Sequence, residues 1–169
     1  MELPFGIPSH DTFGRTFGII DNQAFNQFLI QWADHLRIKT DNEIVAMDGK
    51  TLRGNSKKQK RVGGLHLLNA WSVENSICLG HIDVDIKSNE ITAIPKLIEI
   101  LDLKGCIITT DALNTQKTTT VAVINTKADY VLPVKGNHKE LLEDIELLFE
   151  DATSQDYRGF DADQFETQR

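Results

Sequence analysis

The chain has 169 residues, 40% hydrophobic and 25% charged, an ordinary globular balance that suits one domain with a real core and excludes intrinsic disorder as the expectation. Its formal net charge of −7 argues against nonspecific avidity for nucleic acid or anionic membrane, although a local basic patch can outweigh a global sign. No stretch approaches about 18 uninterrupted apolar residues, and the N-terminus lacks the charged start and apolar core of an export signal, so a cytoplasmic protein without a membrane span is expected.

In chain order, residues 9 to 39 read as helical. "DNQAFNQFLIQWADHLR" is the clearest case: Asp21 or Asn22 is available as cap, and Phe25, Phe28, Leu29, Trp32 and Leu36 form one stripe, read as core packing. The first strand, Ile44 to Met47, is apolar without alternation, as in a strand buried on both faces. Asp48 then falls at its exit, and Gly49 reads as turn chemistry. Strands over 64–73 and 77–86, separated by Asn75-Ser76, complete an antiparallel meander. Cys78 and Cys106 each lie in an apolar run without CxxC spacing, which reads as buried free thiols in a reducing compartment.

A helix follows from near Thr92, which keeps Pro95 in the first turn, with Ile91, Ile94, Leu97, Ile98 and Leu101 recurring at helical spacing. A fourth strand covers 106–110. "NTQKTTTVAVINTK" reads as a helix with Val121 and Ile124 inward, "DYVLPV" as a fifth strand, and "NHKELLEDIELLFED" as a closing helix whose Asn137 and Glu140 stand at capping-box spacing. The expected architecture is α/β: a mixed βββαβαβα sheet over 42–169, preceded by a helical extension over 1–41.

Two crossover units add strands parallel to the first, and if strand four pairs beside strand one, the carboxyl ends of strands one, three, four and five open on one edge. That edge receives Asp48, Glu90, Asp111 and Lys135, with Asn114 and Gln116 beside them in "TTDALNTQ". Carboxylates crowded together repel unless a cation neutralises them. A hard cation, Mg²⁺ or Mn²⁺, held by Asp48 and Asp111 can activate water for phosphodiester chemistry, which points to an RNase H-like nuclease or strand-transfer core. Glu90 is a candidate further ligand, although an acid at a helix start also suits the helix dipole. The basic residues Lys50, Arg53, Lys57, Lys58, Lys60 and Arg61 could hold a DNA backbone or form a solvated hairpin tip, and Lys135, Asn114 and Gln116 could touch phosphate or position water.

Two other readings share these words and fail on spacing. A P-loop needs a glycine where Ile44 stands, and a haloacid-dehalogenase phosphatase needs an aspartate where Ala46 stands. The histidines show no His-x3-His pair, so packing or surface roles are expected for them.

"GIPSHDTFGRTF", "AMDGKTLRG", "DVDIKSNEITAIPKLIEILDLKGCIITTDALNTQK" and "ADYVLPVKGNHKEL" together resemble the H-repeat-associated, Rhs-linked branch of bacterial insertion-sequence DDE transposases. The resemblance extends over nearly the whole chain in the same order. It implies an RNase H-like catalytic fold, an N-terminal helical associated segment and Mg²⁺-dependent cutting and joining of DNA at element ends and target. It sets the first two acidic residues at Asp48 and Asp111, and leaves assembly into a homo-oligomer open. The family's third acid, a glutamate in a His-Gly-Arg-x-Glu type motif, has no match before "DADQFETQR", so the chain reads as a piece truncated before that residue.

Overall fold

The computed structural model describes residues 6–52, 65–84 and 90–159. Strands β1 (Ile44–Leu52), β2 (Leu65–Ser72), β3 (Ile77–Val84), β4 (Ile107–Thr109) and β5 (Asp129–Val131) form one sheet in the order β3-β2-β1-β4-β5. The meander β1-β2-β3 is antiparallel, whereas β4 lies parallel to β1 and β5 parallel to β4. The carboxyl ends of β1, β3, β4 and β5 therefore share one edge, as the sequence predicts. Helices α1 (His10–Ile19) and α2 (Asn22–Leu36) precede the sheet, α3 (Glu90–Ile100) and α4 (Lys117–Asn125) form the crossovers, and α5 (Lys139–Ser154) closes the described chain.

Strand alternation sends Val45, Met47, Leu68, Ala70, Val84 and Ile108 into a core completed by Ala93, Ile94, Leu97 and Ile98 of α3 and by Ala122 and Val123 of α4. Each fully buried Ile or Leu there contributes roughly 1.5–3 kcal/mol. Among the described residues the opposite face is the more open one, with Trp71 45% and Val131 65% exposed.

Several elements depart from the sequence reading for physical reasons. β1 runs on to Leu52, so Asp48 stands within the strand and Gly49 makes no turn, because pairing with β2 from Val45↔Ser72 to Leu52↔Leu65 supplies backbone hydrogen bonds whatever the side chains. The helical region divides at Asp21, whose carboxylate accepts the Ala24 N–H at 2.7 Å. The residues α2 sets against β3 include Asn26, Ile30 and Ala33, while the aromatic stripe stays outside the core: Phe28 is 57%, Trp32 54% and Leu36 53% exposed, and Leu29, Trp32 and Leu36 border a groove shared with Trp71 and β3. Gly80 permits this approach, since a Cβ there would lie 2.9 Å from Ile30 and 3.0 Å from Leu101.

Helix α3 begins at Glu90, which leaves Pro95 in its interior. In α4 the inward positions are Thr119, Ala122 and Val123, one step round the helix from the expected Val121 and Ile124. Cys106 is buried but Cys78 is exposed. The capping box of α5 does not form, because Asn137 donates its side-chain amide to the Ala112 carbonyl at 2.8 Å instead.

At the amino end of β1, a buried ion pair ties α2 to the sheet. Arg37 Nε donates to both Glu43 carboxylate oxygens at 2.9 and 3.1 Å, with the two side chains 2% and 0% exposed. Arg37 also donates to the Asp102 carbonyl at 2.6 Å and to Cys106 Sγ at 2.8 Å, while Ser72 and Asn75 donate to Glu43 Oε1 at 2.5 and 3.0 Å. Burial holds the Cys106 thiol above its ordinary pKa despite the nearby Arg37 guanidinium.

Candidate active site

Asp48 pairs across the sheet with Asn69 of β2, which in turn pairs with His81 of β3, so the three form a polar row on the open face. On its other side, β1 pairs with β4 as Ile44↔Ile107, Val45↔Ile108 and Ala46↔Thr109. The same register carried two residues further sets Asp111 level with Asp48, and Asp111 is still extended at φ −76°, ψ 169°. One aspartate within β1 and one just past β4 thus stand on the same side of the carboxyl edge.

Both aspartates are exposed. Asp111 caps the short 3-10 turn Ala112–Asn114, its Oδ1 accepting the Asn114 backbone N–H at 3.2 Å and the Asn114 side-chain amide at 2.6 Å. Among the described residues, Asp111 Oδ2 and both oxygens of Asp48 have no hydrogen-bond partner. Such a water-accessible pair of hard oxygen ligands fits a cation that binds through one or two carboxylates and keeps several waters.

Glu90 lies over β1 at the Gly49 position. A Cβ on residue 49 would collide with Glu90 Oε1 and come within 2.8 Å of His66 Nε2. The glycine is therefore explained by close approach of a carboxylate, not by a turn. Glu90 Oε1 lies 2.7 Å from His66 Nε2, Glu90 Oε2 accepts from Asn114 Nδ2 at 3.0 Å, and His66 Nδ1 lies 2.8 Å from Thr51 Oγ1. Since side chains alternate along β1, Glu90 stands on the Gly49 face and Asp48 projects to the other. Among the described residues, no group of three or more His, Cys, Asp or Glu is placed to hold a metal ion.

Residues 39–168 match the family model described as the transposase DDE domain. The chain belongs to this transposase family. YncI of Escherichia coli (strain K12), which carries a transposase name, is 44% identical over 163 residues, covering 96% of this chain and 64% of that protein. The H repeat-associated YbfD of the same strain is 40% identical over 144 residues, covering 85% of this chain and 57% of that protein. The chain spans between 38% and 64% of the lengths of the curated relatives it matches. The piggyBac transposase in a synaptic complex with hairpin DNA matches 78% of this chain and 30% of its own, with a TM-score of 0.50 and 13% identity. That likeness places the sheet in the RNase H-like DDE fold.

The remaining candidate residues separate by environment. Lys50 is exposed two positions after Asp48 and shares its face, and Lys135 is exposed at the start of the turn Gly136–His138. Asn114 is 1% exposed, its amide turned to the two carboxylates. Gln116 donates to the Leu113 carbonyl at 3.2 Å and lies 3.4 Å from His138 Nε2. Together with Thr115, which donates to the Pro133 carbonyl at 2.8 Å, it ties the loop after β4 to the loop after β5. Arg53, Lys57, Lys58, Lys60 and Arg61 lie outside the described residues.

For His66 the sequence predicts only a packing or surface role, and the structure adds its place between Thr51 and Glu90. Its one signal in the sequence is a polar ring inside the apolar run "GLHLLNA", and its partner Glu90 stands 24 residues away.

Proposed function

We propose that this transposase chain cuts DNA phosphodiesters at the edge carrying Asp48 and Asp111, with Mg²⁺ or Mn²⁺ held between the two carboxylates. The observation that supports this reading is the parallel β1-β4 register from Ile44↔Ile107 to Ala46↔Thr109, which two residues further on would set the two aspartates level. When bound there, a divalent ion activates water and stabilises the leaving 3′-oxygen. Asp48 and Asp111 hold and orient it, while Lys50, Lys135 and the basic stretch Arg53, Lys57, Lys58, Lys60 and Arg61 position the DNA backbone through its phosphates. Water attacks the phosphorus, the P–O3′ bond breaks, and the freed 3′-hydroxyl then attacks a target phosphodiester and displaces its 3′-oxygen.

The DNA partners are the element ends and the target. The setting is the cytoplasm, the working form is compatible with a homo-oligomer, and residues 1–41 serve as a helical extension to a core over 42–169. No described helix is long and apolar enough to cross a membrane.

A second reading is a folded remnant that binds DNA or protein without turnover. It is favoured by the engagement of both Glu90 oxygens, by His66 and by Asn114, which takes Glu90 out of a set of open carboxylates with Asp48 and Asp111. Incubating the purified chain with Mg²⁺ or Mn²⁺ and an end-labelled duplex separates the two. Metal-dependent nicking that disappears in Asp48→Asn supports the enzyme, and absence of nicking in the unaltered chain sinks it.

A further inference from the structure

Four side chains from four separate segments form one line of hydrogen bonds that ends on a candidate metal ligand. Thr51 and His66 face each other across the β1-β2 ladder, with Thr51 Oγ1 and His66 Nδ1 2.8 Å apart. His66 Nε2 meets Glu90 Oε1 at 2.7 Å. With Glu90 ionised, Nε2 must carry the proton, so in the neutral ring Nδ1 accepts from the Thr51 hydroxyl. The other Glu90 oxygen accepts from Asn114 Nδ2, which also donates to Asp111 Oδ1. An amide nitrogen has two hydrogens, and here each serves one carboxylate. The reverse assignment would set an amide oxygen against two carboxylates.

The arrangement carries costs that make sense only if it is used. Asn114 is 99% buried, because its residue is 1% exposed, and its Oδ1 has no hydrogen-bond partner among the described residues. An unsatisfied buried acceptor of this kind costs roughly 1–3 kcal/mol. Residue 49 must also lack a Cβ for Glu90 to reach its place. What the line achieves is to fix one oxygen of Asp111 while Oδ2 remains without a partner among the described residues.

We propose that Asn114, anchored through Glu90, His66 and Thr51, is the positioning residue that holds the Asp111 carboxylate in the rotamer that presents Oδ2 to the metal ion. Glu90 is thereby an anchor for the ligand and not a ligand itself. The inference rests on the reading of Asp111 as a metal ligand, and goes beyond it by assigning how that ligand is aimed. Partners that orient metal ligands typically matter about 10–100-fold in metal affinity.

The test uses the full chain and manganous ion alone, followed by the electron paramagnetic resonance signal of the free ion, beside thermal unfolding of each variant. We expect Asp48→Asn and Asp111→Asn to abolish binding, and Asn114→Ala and Glu90→Gln to weaken it about tenfold or more. If Asn114→Ala and Glu90→Gln bind like the unaltered chain while Asp111→Asn does not, the positioning role is wrong and the metal site stands. If Glu90→Gln abolishes binding and Asn114→Ala leaves it unchanged, Glu90 is a ligand and the inference is overturned. If the aspartate variants bind like the unaltered chain, or nothing binds, the metal reading fails and takes this inference with it. Should Asn114→Ala not fold, the side-chain amide resonances of Asn114 decide the matter in Glu90→Gln, where unchanged shifts would refute the linkage.

Discussion

The two ends of β1 carry polar groups in opposite conditions. At the amino end, Arg37 and Glu43 are buried and bonded to each other, and their neighbours Ser72, Asn75, Cys106 and the Asp102 carbonyl fill out the network. Farther along, within β1 and just past β4, Asp48 and Asp111 are exposed and only Asp111 Oδ1 is engaged among the described residues. A saturated buried pair has nothing left to offer a ligand and serves to lock α2 onto the sheet. Open carboxylate oxygens add little to folding and keep their capacity for a cation. The contrast assigns stability to the buried pair, and the proposed chemistry rests on the open one.

The largest expected effect comes from breaking the locked end. Glu43→Ala leaves the Arg37 guanidinium buried without its counterion, and should cost about 3–5 kcal/mol in urea unfolding. A loss below about 1 kcal/mol would mean that water or another acceptor reaches Arg37, and the contrast between the ends would lose its basis.

Gly49→Ala probes the other end. The added methyl displaces Glu90 from its contact with His66, with an expected loss of about 1–3 kcal/mol on thermal unfolding, as for overpacking elsewhere. The same change introduced into Glu90→Ala should cost clearly less. An equal cost in both backgrounds would show that backbone, and not Glu90, dictates the glycine.

The smallest effect is expected from the exposed margin of the locked end. Hydrogen bonding to Lys39 holds Asp102 below its ordinary pKa of 3.8, and the same contact, with a second one to Asp34, holds Lys39 above 10.5. The depressed carboxylate contributes stability above pH 3.8 that is lost as pH falls through its folded pKa. The raised ammonium contributes stability below pH 10.5 that is lost as pH rises through its own. With Lys39 46% and Asp102 60% exposed, water and salt screen the pair to about 0.5 kcal/mol. Asp102→Asn should therefore lower the unfolding free energy slightly at pH 7 and flatten its decline on acidification. A loss of several kcal/mol would move this pair into the locked network.

Strand number and direction were legible because they depend on local signals: apolar runs, turn residues between them, and helical spacing in the two crossovers; that β4 lies beside β1 was a condition that the structure meets. The expectation of Asp48 and Asp111 at a common edge came from the same source, since parallel crossover units bring successive strand ends to one edge. The aromatic stripe of α2 misled because periodicity reports which residues share a face and not which face meets the sheet. The close approach at Gly80 and the capture of Arg37 chose Asn26, Ile30 and Ala33 instead. Asn137 likewise left the expected capping box for a carbonyl 25 residues away.

The sequence by itself determined an α/β chain of five strands in a known order, its DDE transposase resemblance, and two aspartates at one edge, because each of these rests on patterns a few residues long. Only the tertiary structure decided that β1 continues through Asp48 to Leu52, that Gly49 makes room for Glu90, and that Thr51, His66, Glu90 and Asn114 join in a line ending on Asp111. Ladder hydrogen bonds extend a strand irrespective of side-chain polarity, and contacts between residues 15 and 24 positions apart exist only once the sheet has brought them together.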